Sequence, residues 1–308
     1  MLNFLLDITP DKSQLLITIK LAGILREKKQ EVYYTYTSNP AFTPVLYNKG
    51  ISNCVLYPDD FRWLKPDLTL LDCRHAAHAS LYRQLAIDYI FIAMQLPNQK
   101  NIQDKDISVL YLPPTPYLSS GSGPRVESLA KRLQDIKKDK GRNIIVGLLG
   151  KGNKNSKILE DFYRVIKRSS IRNPRYQFIL LTDIQNVYQS FELPGNMELF
   201  RTLNLNTILP LCDLALTDSH SDAWLDCTFA QIPVLKYSPK DMINITPMKL
   251  EQQIEYALQN KITLTQKAKE LCDFFERKNR EINKIADMLI ERAERNRYNS
   301  CRLRPHTY

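Results

Sequence analysis

No Cys-x-x-Cys pair, no Gly-Lys-Ser/Thr tripeptide and no long apolar run occurs in the 308 residues. The six cysteines (Cys54, Cys73, Cys212, Cys227, Cys272, Cys301) are scattered. That excludes a zinc ribbon or a small disulfide scaffold and fits reduced thiols in a cytoplasm. The glycines around Lys151 do not make a phosphate loop, because Gly152 is followed by Asn153. Lys, Arg, Asp or Asn interrupts every candidate membrane span before about eighteen apolar residues accumulate. The opening stretch has no basic segment, reaches Asp7 early and lacks a small-residue cleavage site, so it reads as a first strand and not as a secretion signal. A soluble chain is expected.

What is present is an ordinary globular composition, 44% hydrophobic and 25% charged, in a chain long enough for two domains. The net charge of +10 is compatible with nucleic acid, an anionic membrane surface or a polyphosphate ligand. Much of the excess falls on Lys137, Lys138, Lys140, Arg142, Arg295, Arg297, Arg302 and Arg304, where a solvated surface is the simpler reading. No aromatic-basic interleaving of the kind that stacks bases stands out, so a nucleic-acid partner ranks last.

Strand and helix patterns alternate. Residues 2–9, Glu31 onward, Cys54 onward, Leu68–Asp72 and Tyr89 onward read as strands, with helices at 14–29 and 74–86. Prolines 113, 114 and 116, a Ser/Gly stretch and then a polar, Lys-rich stretch open to a helical reading mark a boundary. The alternation restarts with a strand at Asn143, a helix over 156–168, and strands at Gln177, Met197, Leu214 and Val234. A striped helix over 267–294 follows near the end. The expected domains are residues 1–118, a linker over 119–142, and residues 143–308 with C-terminal helices and a basic tail. Alternation of this kind implies parallel sheets with ligands at the carboxyl ends of the strands, making a central cleft between the domains the default site.

Residues 194–241 carry the specific signal: a Pro194-Gly195-Asn196 lead into a short strand, a helix ending at Asp213, an apolar strand, a loop, a helix and an Ile232-Pro233 turn. This order resembles the donor-sugar signature of the UDP-glycosyltransferases, which implies an α/β fold of the GT-B type with two Rossmann-like doubly wound domains. The resemblance implies a nucleotide-sugar donor, UDP-sugar among the candidates, and a hydroxyl-bearing small-molecule or lipid acceptor. No cofactor and no metal are implied. It also implies diphosphate contacts from the loop Asp218-Ser219-His220-Ser221-Asp222-Ala223, ribose contacts from Asp226 and sugar contacts from Asp241. The loop departs from the family in having a carboxylate at the family's histidine and no glycine. Gly150, Lys151 and Gly152 occupy the family's second phosphate turn; a lysine there suits an oxyanion, and a plain strand-to-helix turn with solvated lysines is the competing reading.

In the first half the resemblance puts Gln14 at the family's catalytic histidine and Asp72 at the carboxylate that orients it. An amide cannot take the acceptor's proton, so activity is expected to be lost or rerouted. Asp72 itself, His75 or His78 could supply the base. The i, i+3 histidine pair lacks a third ligand in the sequence for a metal reading. A non-catalytic scaffold that kept the fold stays open beside the enzyme, as does attachment to a membrane surface.

Overall fold

A computed structural model describes residues 1–8, 12–35, 54–55, 64–94, 102–103, 108–114, 124–149, 156–182, 192–219 and 222–302. The strands are β1 (Asn3–Asp7), β2 (Glu31–Thr35), β3 (Cys54–Val55), β4 (Leu68–Asp72), β5 (Tyr89–Met94), β6 (Ile102–Gln103), β7 (Ser108–Leu112), β8 (Asn143–Leu148), β9 (Tyr176–Leu181), β10 (Met197–Phe200), β11 (Leu214–Asp218) and β12 (Val234–Tyr237). The helices are α1 (Lys12–Glu27), α2 (Ala79–Gln84), α3 (Pro124–Lys140), α4 (Ser156–Arg172), α5 (Leu205–Ile208), α6 (Ala223–Phe229), α7 (Pro239–Asn244), α8 (Pro247–Gln259), α9 (Lys261–Arg280) and α10 (Ile282–Arg302). Short 3-10 segments cover Cys73–His78 and Leu209–Leu211. The chain divides into one unit of Met1–Thr115 with Phe274–Tyr308 and a second of Pro116–Asp273.

The first unit holds a seven-stranded sheet in the order β3-β2-β1-β4-β5-β7-β6, parallel except for the β6–β7 pair. All five residues of β4 are buried, as a central parallel strand covered on both faces requires. Alternate side chains serve the two faces. Phe4, Leu6, Leu68, Leu70, Ile90 and Ile92 pack with Ile17, Leu21 and Ala22 of α1, while Leu5 and Leu71 join Ala79 and Tyr82.

Helix α10 closes the first of these faces, with Ile282, Ala286, Leu289 and Ala293, all fully buried, in the same cluster. Their 4-3-4 spacing is the apolar stripe of one helix face. The sequence assigned the C-terminal helices to residues 143–308; the stripe of α10 instead finds its partners in the first sheet. The single long helix expected over 267–294 is also two helices. At the break the Asn279 carbonyl accepts from Lys20 Nζ at 3.0 Å, and the Asn279 side chain donates to the Pro114 carbonyl at 3.0 Å.

At the amino ends of β4 and β5, Arg292 makes a bidentate pair with Asp88 (2.7 and 2.8 Å) and Arg297 Nε donates to Asp67 at 2.8 Å. Arg297 is therefore paired, not simply solvated as its sequence context suggested.

The second unit holds five parallel strands in the order β10-β9-β8-β11-β12. One face packs Ile145, Phe178, Leu180, Leu214 and Leu216 against Phe162 and Ile166 of α4 and Leu250 and Ile254 of α8. The other packs Ile144, Val146, Ile179 and Ala215 against Leu129 and Leu133 of α3. Most of the segment expected as a linker over 119–142 is thus a packed helix, because Leu129 and Leu133 (i, i+4) complete a sheet face. Lys137 from α3 and Lys261 from α9 both reach the buried Asp213, whose other oxygen accepts the Ile144 N–H at 2.9 Å. Lys137, too, is a structural partner. Among the described residues, no helix is long and apolar enough to cross a membrane.

Candidate functional site

In a doubly wound sheet the strand order reverses at one point, and the loops leaving the strands there part to opposite faces and open a crevice at their carboxyl ends. The first unit reverses between β1 and β4, which end on Asp7 and Asp72. The second reverses between β8 and β11, which end on Leu148 and Asp218.

Asp7 is 1% exposed, and a buried carboxylate is stable only when its oxygens accept hydrogen bonds. Four side chains do this. His75 Nδ1 lies 3.1 Å and the Thr35 hydroxyl 3.3 Å from Oδ1, while His78 Nδ1 lies 2.8 Å and the Tyr82 hydroxyl 2.7 Å from Oδ2. The histidines stand in the 3-10 segment that follows β4, where three residues per turn bring i and i+3 to the same side. Their ring centroids are 4.8 Å apart. His75 leaves helical geometry (φ −96°, ψ 26°). His78 is the more open of the two, with half its side chain in solvent. Burial, then the Asp7 charge and hydrogen bond, push the Tyr82 phenol up, so Tyr82 acts as a donor and not as a base.

With Nδ1 protonated and donating to Asp7, each imidazole keeps a lone pair on Nε2, the arrangement of a carboxylate-oriented base. Among the described residues, Asp7, His75 and His78 also form a group of three potential metal-ligating side chains. Asp7 stands where the sequence pair lacked a third potential ligand.

The expected Asp72 lies at the neighbouring strand end, 1% exposed, but its carboxylate faces elsewhere. It caps the 3-10 segment by accepting the Arg74 N–H at 2.9 Å and pairs with the Arg74 guanidinium at 3.0–3.3 Å. Residue 14 belongs to the first turn of α1, and its side chain lies outside the described residues. Next to Asp72, burial and the aspartate charge push the Cys73 thiol up, which disfavours a reactive thiolate.

In the second unit, Asp218 is fully buried at the end of β11, and the exposed Ser219 donates its N–H to the Tyr237 carbonyl at 2.9 Å. Gly150, Lys151, Gly152, His220 and Ser221 lie outside the described residues. Asp226 sits in the first turn of α6. Asp241 is exposed and closes a capping box with Ser238, accepting its N–H at 2.8 Å. Those hydrogen bonds hold its carboxyl below the ordinary aspartate value. It borders a cavity of about 580 Å³ that Lys236, Tyr237, Lys249, Gln253 and Tyr256 also line. Lys236 Nζ stands 3.8 Å over the Trp224 ring, and burial pulls its ammonium down.

Sequence reading missed Asp7, Tyr82 and Thr35. One signal was available: β1, like β4, is an apolar run ending on aspartate at the carboxyl edge of the sheet.

No known protein family and no curated protein sequence matches the chain. Solved structures do match, over almost the whole chain. The glycotransferase of kitacinnamycin is 12% identical with a TM-score of 0.67, covering 94% of this chain and 98% of its own. The calicheamicin glycosyltransferase is 11% identical with a TM-score of 0.66, covering 96% and 99%. A spinosyn rhamnosyltransferase complexed with thymidine diphosphate is 12% identical with a TM-score of 0.64, covering 92% and 100%. The fold is therefore α/β of the GT-B type, with two Rossmann-like units, and the proteins that share it here are glycosyltransferases.

Proposed function

We propose that the chain is a nucleotide-sugar-dependent glycosyltransferase, divergent from the UDP-glycosyltransferases, that acts on a hydroxyl-bearing acceptor. The observation that carries this reading is the Asp7-held imidazole pair at the switch point of the first sheet. A family histidine is replaced by Gln14, yet a carboxylate-oriented imidazole stands in the same unit. His78, the more accessible ring, takes the acceptor proton on Nε2 as the oxygen attacks the anomeric carbon and the nucleoside diphosphate departs. The Asp7 carboxylate fixes the tautomer and stabilises the imidazolium that forms. Asp72, bound to Arg74, shapes the turn that presents the two rings.

The donor side rests on the GT-B fold, on one neighbour complexed with thymidine diphosphate, and on the loops after β8 and β11 at the second switch point. Gly150, Lys151, Gly152, Ser219, His220 and Ser221 are proposed for the diphosphate, with Asp218 placing the loop and Asp226 toward the ribose. Asp241 is proposed at the sugar, through the oxygen that the capping box leaves over.

The test is donor hydrolysis and transfer with a panel of thymidine- and uridine-diphosphate sugars, beside calorimetric binding of the free diphosphates. Turnover that falls in His78→Ala while diphosphate binding stays unchanged is the expected result. Diphosphate binding without turnover of any sugar would favour a binding or scaffold role instead.

A further inference from the structure

We propose that Asp7, His75 and His78 bind one divalent transition-metal ion of the zinc class. The three donor atoms already lie within 4.8 Å of one another. Zinc bonds to imidazole nitrogen and carboxylate oxygen are about 2.0–2.2 Å long, which in a tetrahedron puts ligand atoms roughly 3.4 Å apart. Seating an ion therefore widens the 2.8 and 3.1 Å contacts by a few tenths of an ångström and draws in the widest-spaced donors of the set, a movement within reach of the half-exposed His78 ring. Two imidazoles and one carboxylate form a borderline nitrogen-oxygen set, suited to zinc and its transition-metal neighbours; calcium and magnesium prefer oxygen alone. Three protein ligands leave one coordination position open.

Two further features belong to a built metal site. The Tyr82 hydroxyl, fixed by complete burial of its ring, donates to Asp7 Oδ2 at 2.7 Å, and Thr35 lies 3.3 Å from Oδ1. Outer partners of this kind orient the ligating oxygen. The site also has an entrance, because Asp7 is buried while half of His78 faces solvent. Sequence patterning could not show this, since the carboxylate lies 68 and 71 residues from the rings.

The ion has a chemical consequence that rests on the glycosyltransferase reading, whereas the site itself does not. A neutral imidazole has a single N–H. When a metal takes the Nδ1 lone pair, that proton resides on Nε2, and the lone pair that would accept the acceptor's proton is gone. The ion-loaded chain is therefore the transfer-silent form.

The experiment is titration of the chelator-treated full chain with Zn²⁺ by calorimetry and with Co²⁺ by visible absorption, with no donor or acceptor present. The expected result is one ion per chain, with intense tetrahedral cobalt bands. Affinity should fall about 10–100-fold in Tyr82→Phe, the usual effect of losing an outer-shell partner, and at least as much in His78→Ala. The half-exposed His78 can be truncated without opening the core, so failure to fold does not confuse that arm. Absence of tetrahedral bands, or unchanged affinity in His78→Ala, overturns the site. Tight zinc binding to a chain with no turnover keeps the site and sinks the enzymatic reading. Transfer undiminished at saturating zinc refutes the silent form.

Discussion

Within a sheet edge, a carboxylate as deeply buried as Asp7 depends on every donor around it. Truncating one of them leaves lone pairs without partners at a cost of about 1–3 kcal/mol, more when the group is charged. Asp7→Asn keeps the shape but turns one acceptor oxygen into a donor facing an imidazole N–H or the Tyr82 hydroxyl. We therefore expect Asp7→Asn to lower kcat about 10²–10⁴-fold, the usual contribution of a general base, with diphosphate binding unchanged in calorimetry. Asp72→Asn should leave the histidine pair in place and reduce kcat less. The same rate loss from both variants would return the orienting role to Asp72. Gly147 poses a purely steric case. A Cβ there would lie 2.5 Å from Leu180 Cδ2 on the adjacent strand, in a fully buried layer. Gly147→Ala should destabilise the chain by about 1–3 kcal/mol in urea unfolding, the usual cost of overpacking.

At the scale of elements, patterning showed most of the strands and helices, though not β6 or β7, and not where each helix docks. The alternation of apolar runs with 3.6-period stripes was enough to read two parallel sheets, because that signal is local. The stripe of α10 was visible as well, yet any sheet face with spare apolar surface could have received it. Its partners Phe4, Leu21 and Leu70 lie more than two hundred residues away. The Lys-rich stretch of α3 was open to a helical reading, but its exposed lysines hid that Leu129 and Leu133, with Ala130 and Ile136 beside them, form a side packed on the sheet. The Asp7 site was hidden for a related reason: hydrogen-bond partners across a sheet have no characteristic spacing. Truncating a buried residue of α10 should be costly, and Leu289→Ala is expected to lose about 2–5 kcal/mol in chemical denaturation. A loss under 1 kcal/mol would mean that the helix contributes little to closing the first sheet.

For the whole molecule, two carboxylates, Asp88 and Asp213, contribute to the response to acid. Burial pushes Asp88 up, but hydrogen bonds from Arg292 and Asn296 and the guanidinium charge outweigh it and hold the carboxyl below its ordinary 3.8. Asp213 follows the same logic, with Lys137, Lys261 and the Ile144 N–H overcoming its burial. A group depressed on folding contributes stability that is complete above its unfolded value and is lost as pH falls through its folded one. Unfolding free energy should therefore be flat in these two groups near neutrality and decline below about pH 4. Asp88→Asn should flatten that decline while lowering stability at pH 7. An unaltered acid limb in urea titrations would remove Asp88 from the account.

Because α10 follows the second unit in sequence, synthesis on the ribosome must pass through the whole of that unit before the first sheet can be covered. Leu2, Phe4, Leu68 and Leu70 emerge early, and one of their faces waits for Ile282, Ala286, Leu289 and Ala293. Meanwhile the residues of the second unit, all made in the interval, can complete their own core. Order of emergence is thus reversed in order of completion: the half that starts first is finished last, and until then its apolar sheet face is the part of the nascent chain most in need of a chaperone.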